Sequence, residues 1–181
     1  MSRVLKNPRA IVLSLIAALG CSVVAAAVNR PLDPTARAEL KNAKGEIVGH
    51  ATLTATPNGV LIRAAFTNVP PGAHAFHIHA VGQCSAPDFE SAGAHFNPTN
   101  VRHGLMEPNG PHAGDLPNIH VGPSRKLDVE LWAEHARLAD ATNAVIDADG
   151  AALVVHAATD DYKTDPAGNA GARIACGVVM R

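Results

Sequence analysis

The sequence predicts an all-β fold, an antiparallel β-sandwich or Greek-key barrel of seven or more short strands. One observation is that several segments alternate between apolar and polar residues, as half-buried strands do. Another is that the most helix-like segment, 132–144, lacks a clear apolar stripe. The third is a stretch at 80–123 that is rich in Gly, Pro, Asn and His and has little periodicity. A loop this long in a compact domain is usually functional, so the sequence predicts a barrel that carries long functional loops.

The first predicted strands form a hairpin. Apolar residues alternate over 47–55 and again over 60–66, and the Asn58-Gly59 pair between them is a turn signal. A later segment alternates between apolar and charged residues, and two short apolar runs are typical of buried strands. These later strands are predicted at 125–132, 151–157 and 172–180.

The N-terminal segment has the layout of a secretory signal peptide, with a basic start, a short apolar run and a small-residue end. We expect 1–27 to be removed by cleavage after Ala27, which leaves 28–181 as one mature domain without a membrane span. Cys21 leaves an alternative open, because "ALGC" loosely resembles the lipobox at which bacterial lipoproteins are cut and lipidated on cysteine. Either interpretation predicts an exported protein, free after cleavage or anchored by a lipid.

The charge and the cysteine content limit which partners and which cellular compartment the sequence predicts. The chain has 15 basic and 16 acidic residues, and 1–27 contains three of the basic and none of the acidic ones, so the formal charge falls from −1 to −4 on cleavage. A nucleic-acid partner is not expected, because phosphate neutralisation needs a basic face. The mature chain keeps two cysteines, Cys84 and Cys176, and an exported chain with two cysteines is expected to pair them.

Seven side chains are candidate metal ligands. Because residues two apart on a strand share a face, His77 and His79 would project together while Phe76 and Ile78 cover the core. Seven donors are too many for one tetrahedral metal, and they supply the eight bonds of two metals only if one imidazole bridges. Nitrogen-rich ligation suits copper, three histidines with a carboxylate suit zinc, and spacing leaves open which histidine bridges. The remaining donors are His95, His103, His112, Asp115 and His156.

These segments resemble the copper/zinc superoxide dismutases of the bacterial exported type. The motifs that carry the resemblance run in order as "HAFHIH", "C", "SAGAHFNP", "RHG", "HAGDLPNI", "LVVH", "DD" and "GNAGARIACGV". They cover nearly the whole mature chain. The resemblance implies a Greek-key barrel of about eight strands with long metal-binding and electrostatic loops. It also implies an oxidoreductase that converts superoxide to dioxygen and hydrogen peroxide through a Cu(II)/Cu(I) cycle, with one copper and one zinc per chain.

The resemblance also implies a role for each candidate residue. His95 would bridge the two metals, and Asp160 would link a copper histidine to a zinc histidine. Cys84 and Cys176 would form the intrachain disulfide. Arg173 would lie beside copper and orient the superoxide anion, and is expected to be catalytic together with His95. The copper ligands would be His77, His79, His95 and His156, and the zinc ligands His95, His103, His112 and Asp115.

The sequence allows alternatives for activity, substrate attraction and oligomeric state. A catalytically silent relative, a metal-binding or copper-transfer domain of the same fold, is the alternative to an enzyme. Because the mature chain is acidic and superoxide is an anion, attraction must be local, from the copper site, Arg173, and Lys163 or Arg102. The protein could be a monomer or a homodimer.

Overall fold

Nine β-strands and one short 3₁₀ helix form the part of the chain that the computed structural model describes, residues 35–139 and 141–181. The predicted signal segment 1–27, with Cys21, lies outside the described residues. Within the described residues, no helix is long and apolar enough to cross a membrane. The strands are β1 (Thr35–Asn42), β2 (Ile47–Thr56), β3 (Gly59–Thr67), β4 (Gly72–His74), β5 (Phe76–His79), β6 (Ile119–Val121), β7 (Lys126–Ala133), β8 (Ala152–His156) and β9 (Arg173–Val178), and the 3₁₀ helix is Glu90–Ala92.

The strands form one large antiparallel sheet and one small sheet, which confirms the predicted all-β Greek-key architecture. The large sheet has the strand order β5-β8-β9-β1-β2-β3-β7, and the small sheet pairs β4 with β6. Consecutive strands β1, β2 and β3 are neighbours, whereas β7 returns to β3 and β9 returns to β1 by long connections. These returns are the Greek-key element of the topology, and the long connections they require carry the metal-site residues.

The predicted hairpin is present, and its register follows the apolar alternation. Leu53 lies opposite Ile62, and the pair Thr56 and Gly59 closes the turn. Strand β1 was not predicted, although Ala36, Ala38 and Leu40 alternate in it and are all buried. Small alanines made that alternation weak compared with the Ile, Leu and Val pattern of the following strands.

The apolar core lies on one face of the large sheet, and a smaller apolar cluster lies on the other face of β8. Leu153 and Val155 of β8 pack into the main core, in which Phe66 and Phe76 meet edge to face at 5.5 Å. The alternate β8 residues pack instead with the segment that follows β5. Because both faces of β8 are covered, the sequence of this strand is a continuous apolar run up to His156. The smaller cluster contains Phe89, Ala92, Ala152, Val154 and Cys176.

Candidate metal centre

Strand β5 lies at the edge of the large sheet, and two loop segments cover its free edge. The Ile78 amide donates to the Gly114 carbonyl, and the Ile78 carbonyl accepts from the Phe96 amide, both at 2.9 Å. A β-carbon at Gly114 would collide with the Ile78 carbonyl, so only glycine permits this close approach. The pairing places a candidate ligand from each loop directly beside one from β5. The bridged pairs are His77 with Asp115 and His79 with His95.

Four buried histidines form the first donor set, with one nitrogen from each within 4.8 Å of the others. The Nδ1 of His79 donates to the Gly93 carbonyl at 2.9 Å, and the Nδ1 of His156 donates to the Gly171 carbonyl at 3.3 Å. Each ring therefore presents its Nε2 inward, and these two Nε2 atoms are 3.3 Å apart. Backbone carbonyls thus fix which nitrogen is free to bind a metal. The set is His77, His79, His95 and His156.

Three histidines and one carboxylate form the second donor set. The Oδ1 of Asp115 lies 2.9 Å from the Nδ1 of His95, 3.0 Å from that of His103 and 3.3 Å from that of His112. The other oxygen, Oδ2, accepts from the amides of Gly104 and His112, which holds the carboxylate in place. Three ring nitrogens and one oxygen converge on one point, which is the closed arrangement typical of structural zinc.

His95 belongs to both sets, with Nδ1 facing Asp115 and Nε2 facing the other histidines. Among the described residues, three buried side-chain atoms have no hydrogen-bond partner: the Nδ1 of His77, the Nε2 of His95 and the Nδ1 of His112. Unpaired buried polar atoms are costly, so each calls for a partner that the protein itself does not supply. One metal ion in each set would satisfy all three atoms, and the residues therefore fit a two-metal centre.

The carboxylate of Asp160 connects the two sets, because it accepts a hydrogen bond from one histidine of each. Its Oδ2 accepts from the Nε2 of His77 at 2.9 Å, and its Oδ1 accepts from the Nε2 of His103 at 3.0 Å. The Asn118 side chain holds the backbone of Asp160 through two hydrogen bonds. The Tyr162 hydroxyl accepts from the backbone amide of Asn118 at 2.7 Å. Neither Asn118 nor Tyr162 was predicted, because their role depends on loops that meet only in the folded structure.

The histidines of the first set are held neutral. Burial, with the neighbouring His95, lowers the pKa of His79 to about 2, and burial lowers the pKa of His95 and of His156 to about 4. Burial also lowers the pKa of His77, although its hydrogen bond to Asp160 opposes the shift. A neutral imidazole is the form that binds a metal, so these residues do not need to lose a proton near pH 7.

The carboxylates have the opposite effect on His103, a member of the second set. Burial alone would lower the pKa of His103, but the hydrogen bonds to Asp115 and Asp160 raise it to about 9. Burial alone would raise the pKa of Asp115, but hydrogen bonds with His103 and His95 and the nearby ring of His112 hold it well below its usual range. Without a metal, His103 therefore carries a proton that neutralises part of the buried negative charge, and a bound cation would replace that proton.

Arg173 borders an open cavity of about 280 Å³ that leads to the first donor set. It is the cross-strand partner of His156, which explains why the guanidinium lies beside these histidines. Its Nη1 donates to the Phe89 carbonyl at 2.7 Å and its Nη2 to the Gly93 carbonyl at 2.8 Å. Because the Gly93 carbonyl also accepts from His79, one backbone atom connects the guanidinium to the donor set.

The predicted disulfide is present. Cys84 and Cys176 are bonded, with 5.6 Å between their α-carbons, and the bond joins the segment after β5 to strand β9. The bond thus secures the same segment whose carbonyls hold Arg173.

The other described histidines lie apart from the two donor sets. His50, His120 and His135 are exposed on the surface. His74 is buried, with its two ring nitrogens bonded to the carbonyls of His156 and Pro70, so it braces β4 against the end of β8.

The fold and the paired donor sets define a two-metal β-barrel protein in which one histidine has a nitrogen in each set. A family model described as "Copper/zinc superoxide dismutase (SODC)" matches residues 47–179, and the chain belongs to this family. Superoxide dismutase (Cu-Zn) 1 of Aquifex aeolicus is 51% identical over 144 residues, 78% of this chain and 85% of that protein.

Two further relatives cover more of the molecule or provide a structure. Superoxide dismutase (Cu-Zn) of Caulobacter vibrioides is 42% identical over 170 residues, which is 92% of this chain and 98% of the relative. The crystal structure of a SOD-like protein from Bacillus subtilis matches with a TM-score of 0.77 and 41% identity, over 80% of this chain and 97% of that one. Sequence and architecture therefore agree on the family.

Proposed function

We propose that this protein is a copper/zinc superoxide dismutase, which converts superoxide to dioxygen and hydrogen peroxide. The observation that carries the proposal is the pair of complete donor sets that share His95, beside a cavity lined by Arg173. Copper suits the all-nitrogen set, and zinc suits the set that contains Asp115. The copper ligands are His77, His79, His95 and His156, and the zinc ligands are His95, His103, His112 and Asp115.

The side chains of the site have separate roles in the reaction. Copper supplies the one-electron redox change that the reaction needs and that zinc cannot undergo. Arg173 binds and orients the superoxide anion, since its charge persists at any working pH and two carbonyls fix the plane of its guanidinium. His95 Nε2, which is buried and has no hydrogen-bond partner among residues 35–139 and 141–181, is the atom at which a proton can be taken up and given back. Asp160 keeps the rings of His77 and His103 in fixed orientations.

The disulfide supports export to an oxidising compartment, where such bonds persist. For this part of the proposal we infer cleavage of 1–27 and residence of 28–181 in the bacterial periplasm, with lipidation at Cys21 as the alternative. Mass spectrometry of the protein recovered from its native compartment distinguishes the two. A mature chain that begins at residue 28 supports cleavage, and a lipidated N-terminal Cys21 supports the anchor.

The test of the function is superoxide dismutation by the purified mature protein loaded with copper and zinc, with metal content determined on the same sample. We expect activity near the diffusion limit at about one copper and one zinc per chain, and loss of that activity on copper chelation. Both metals bound without activity would overturn the proposal and favour a catalytically silent relative.

A further inference from the structure

A carboxylate lies beside the guanidinium that faces the anion. The Oε2 of Glu90 is 3.5 Å from the Nη2 of Arg173, and both residues line the cavity that leads to the histidines of the copper set. The Glu90 side chain is 73% exposed, whereas that of Arg173 is only 14% exposed. A carboxylate at this position is unexpected, because the substrate that must reach Arg173 carries the same negative charge.

The backbone holds Glu90 at this point of the cavity wall. The preceding residue, Phe89, has a left-handed backbone (φ 57°) and a buried side chain, and its carbonyl accepts from Arg173. The amide of Glu90 donates to the Asp88 carboxylate at 3.1 Å. The short helix Glu90–Ala92 therefore begins at a fixed position, which leaves the Glu90 side chain in solvent at the edge of the cavity.

Glu90 and Arg173 are the only two side chains of fixed charge that line this cavity among the described residues, so the two charges cancel. Neither Lys163 nor Arg102 lines it, and Arg102 is 3.8 Å from Glu107 instead. At 3.5 Å the Glu90 carboxylate is an exposed ionic neighbour of Nη2, which leaves the carboxylate free to move away when another anion arrives.

We propose that Glu90 restrains anion entry: its carboxylate competes with superoxide for the Nη2 of Arg173, the nitrogen that also donates to the Gly93 carbonyl. The inference rests on the proposed function, for which Arg173 is the anion-binding group. Because exposed ion pairs are weak, removal of the Glu90 charge raises anion affinity and the rate constant for superoxide by about two- to fivefold. It also steepens the fall of that rate constant with ionic strength, because Arg173 then attracts anions without an opposing charge.

The test compares Glu90→Gln with the matched control Glu130→Gln. Glu130 also forms an exposed pair with an arginine, Arg63, but lies on β7 and does not line the cavity. Azide, a small monovalent anion, is titrated into copper- and zinc-loaded protein and followed by the visible copper spectrum. The rate constant for superoxide is then measured at several ionic strengths on the same samples.

The expected result is that azide binds two- to fivefold more tightly to Glu90→Gln than to wild type, and that Glu130→Gln matches wild type. Equal azide affinities in all three proteins would overturn the inference. Weaker azide binding to Glu90→Gln would also overturn it, and would assign Glu90 to the orientation of Arg173. If azide affinity changes as expected but no sample dismutates superoxide, the proposed function fails and the role of Glu90 in anion binding stands.

Discussion

At the scale of the single residue, Arg173 combines a structural and a substrate-binding role in one side chain. Two of its N–H groups are used to hold the carbonyls of Phe89 and Gly93, and these bonds set the plane in which the remaining N–H groups face the cavity. A lysine has the charge but lacks the planar fork, so it cannot hold both carbonyls and face the anion together.

Replacing Arg173 by alanine is therefore expected to lower the rate constant for superoxide by about tenfold or more, because local attraction of the anion is lost. Copper and zinc content should stay at the wild-type level, since Arg173 belongs to neither donor set. Arg173→Lys should lie between alanine and wild type. Arg63→Ala, which removes an exposed arginine on β3, serves as the control. Wild-type rates in Arg173→Ala would remove this residue from the mechanism.

Asp160 is a residue whose effect on the centre is exerted through the histidines it touches. Asp160→Asn removes the charge that both His77 and His103 contact, and we expect zinc affinity to fall by about 10- to 100-fold. Competition with a chromophoric zinc chelator measures the zinc affinity of each variant. The control is Asp161→Asn, in which the neighbouring exposed carboxylate loses the same charge; its hydrogen bonds to described residues go to Thr164, Asn169 and the loop backbone. Equal zinc affinities in the two variants would mean that Asp160 contributes only loop structure.

At the scale of the element, the sequence predicted strands better than it predicted loops. The β2–β3 hairpin and the shared face of His77 and His79 follow from a period of two, which depends only on local backbone geometry. The pairing of Gly114 with the β5 edge depends on two segments about 35 residues apart in the chain, and no local pattern encodes it.

The same limit applies to the metal centre. The seven donors could be identified because histidine and aspartate are the residue types that bind such metals, and their number required a bridge. The resemblance to a family, and not spacing, indicated that His95 is the bridge. The position of Glu90 against Arg173 was missed, since nothing in an isolated glutamate indicates that the loop returns it to strand β9.

The loop between β8 and β9 offers a test of how closely it packs against the centre. Gly168 and Gly171 both have positive φ, +64° and +74°. A β-carbon at Gly168 would collide with the Asp160 carboxylate and lie 2.7 Å from the Nε2 of His103, whereas at Gly171 the nearest atom is 3.7 Å away. Both alanine variants carry the left-handed strain of about 1–2 kcal/mol, but only Gly168→Ala has to displace the groups behind the metals.

We therefore expect Gly171→Ala to lose about 1–2 kcal/mol of unfolding free energy and to keep its zinc, and Gly168→Ala to lose more stability and bind zinc more weakly. Urea unfolding and zinc analysis of the two purified variants measure both effects. Equal zinc content and equal stability in the two proteins would show that this loop does not support the centre.

At the scale of the whole molecule, the metal centre is part of the folded core. Its six histidines and its aspartate are all buried, and three of their nitrogens have no hydrogen-bond partner in the described part of the chain. Binding of metals to the native state alone adds stability that increases with the logarithm of metal concentration over the dissociation constant. Removal of both metals is expected to lower the melting temperature by roughly 10 °C or more, from a loss of several kcal/mol. Calorimetry before chelation, after chelation and after remetallation measures the change in melting temperature. An unchanged melting temperature would contradict the inference that the folded protein binds the metals.

The disulfide constrains a large part of the chain because its two cysteines are 92 positions apart, so it closes a loop that contains β6, β7 and β8. In the chain-entropy account such a crosslink restricts the unfolded chain and stabilises the native state by on the order of 4 kcal/mol. The double variant Cys84→Ala with Cys176→Ala should lose about that amount in urea unfolding.

Reduction of the wild-type protein is the control for packing, because it breaks the bond and leaves both sulfur atoms in place. A matching loss in reduced wild type and in the double variant would assign the effect to the crosslink. If the double variant loses stability and the reduced protein does not, the effect comes from the buried Cys176 side chain, which packs in the cluster with Phe89 and Val154, and the entropic account would not apply here.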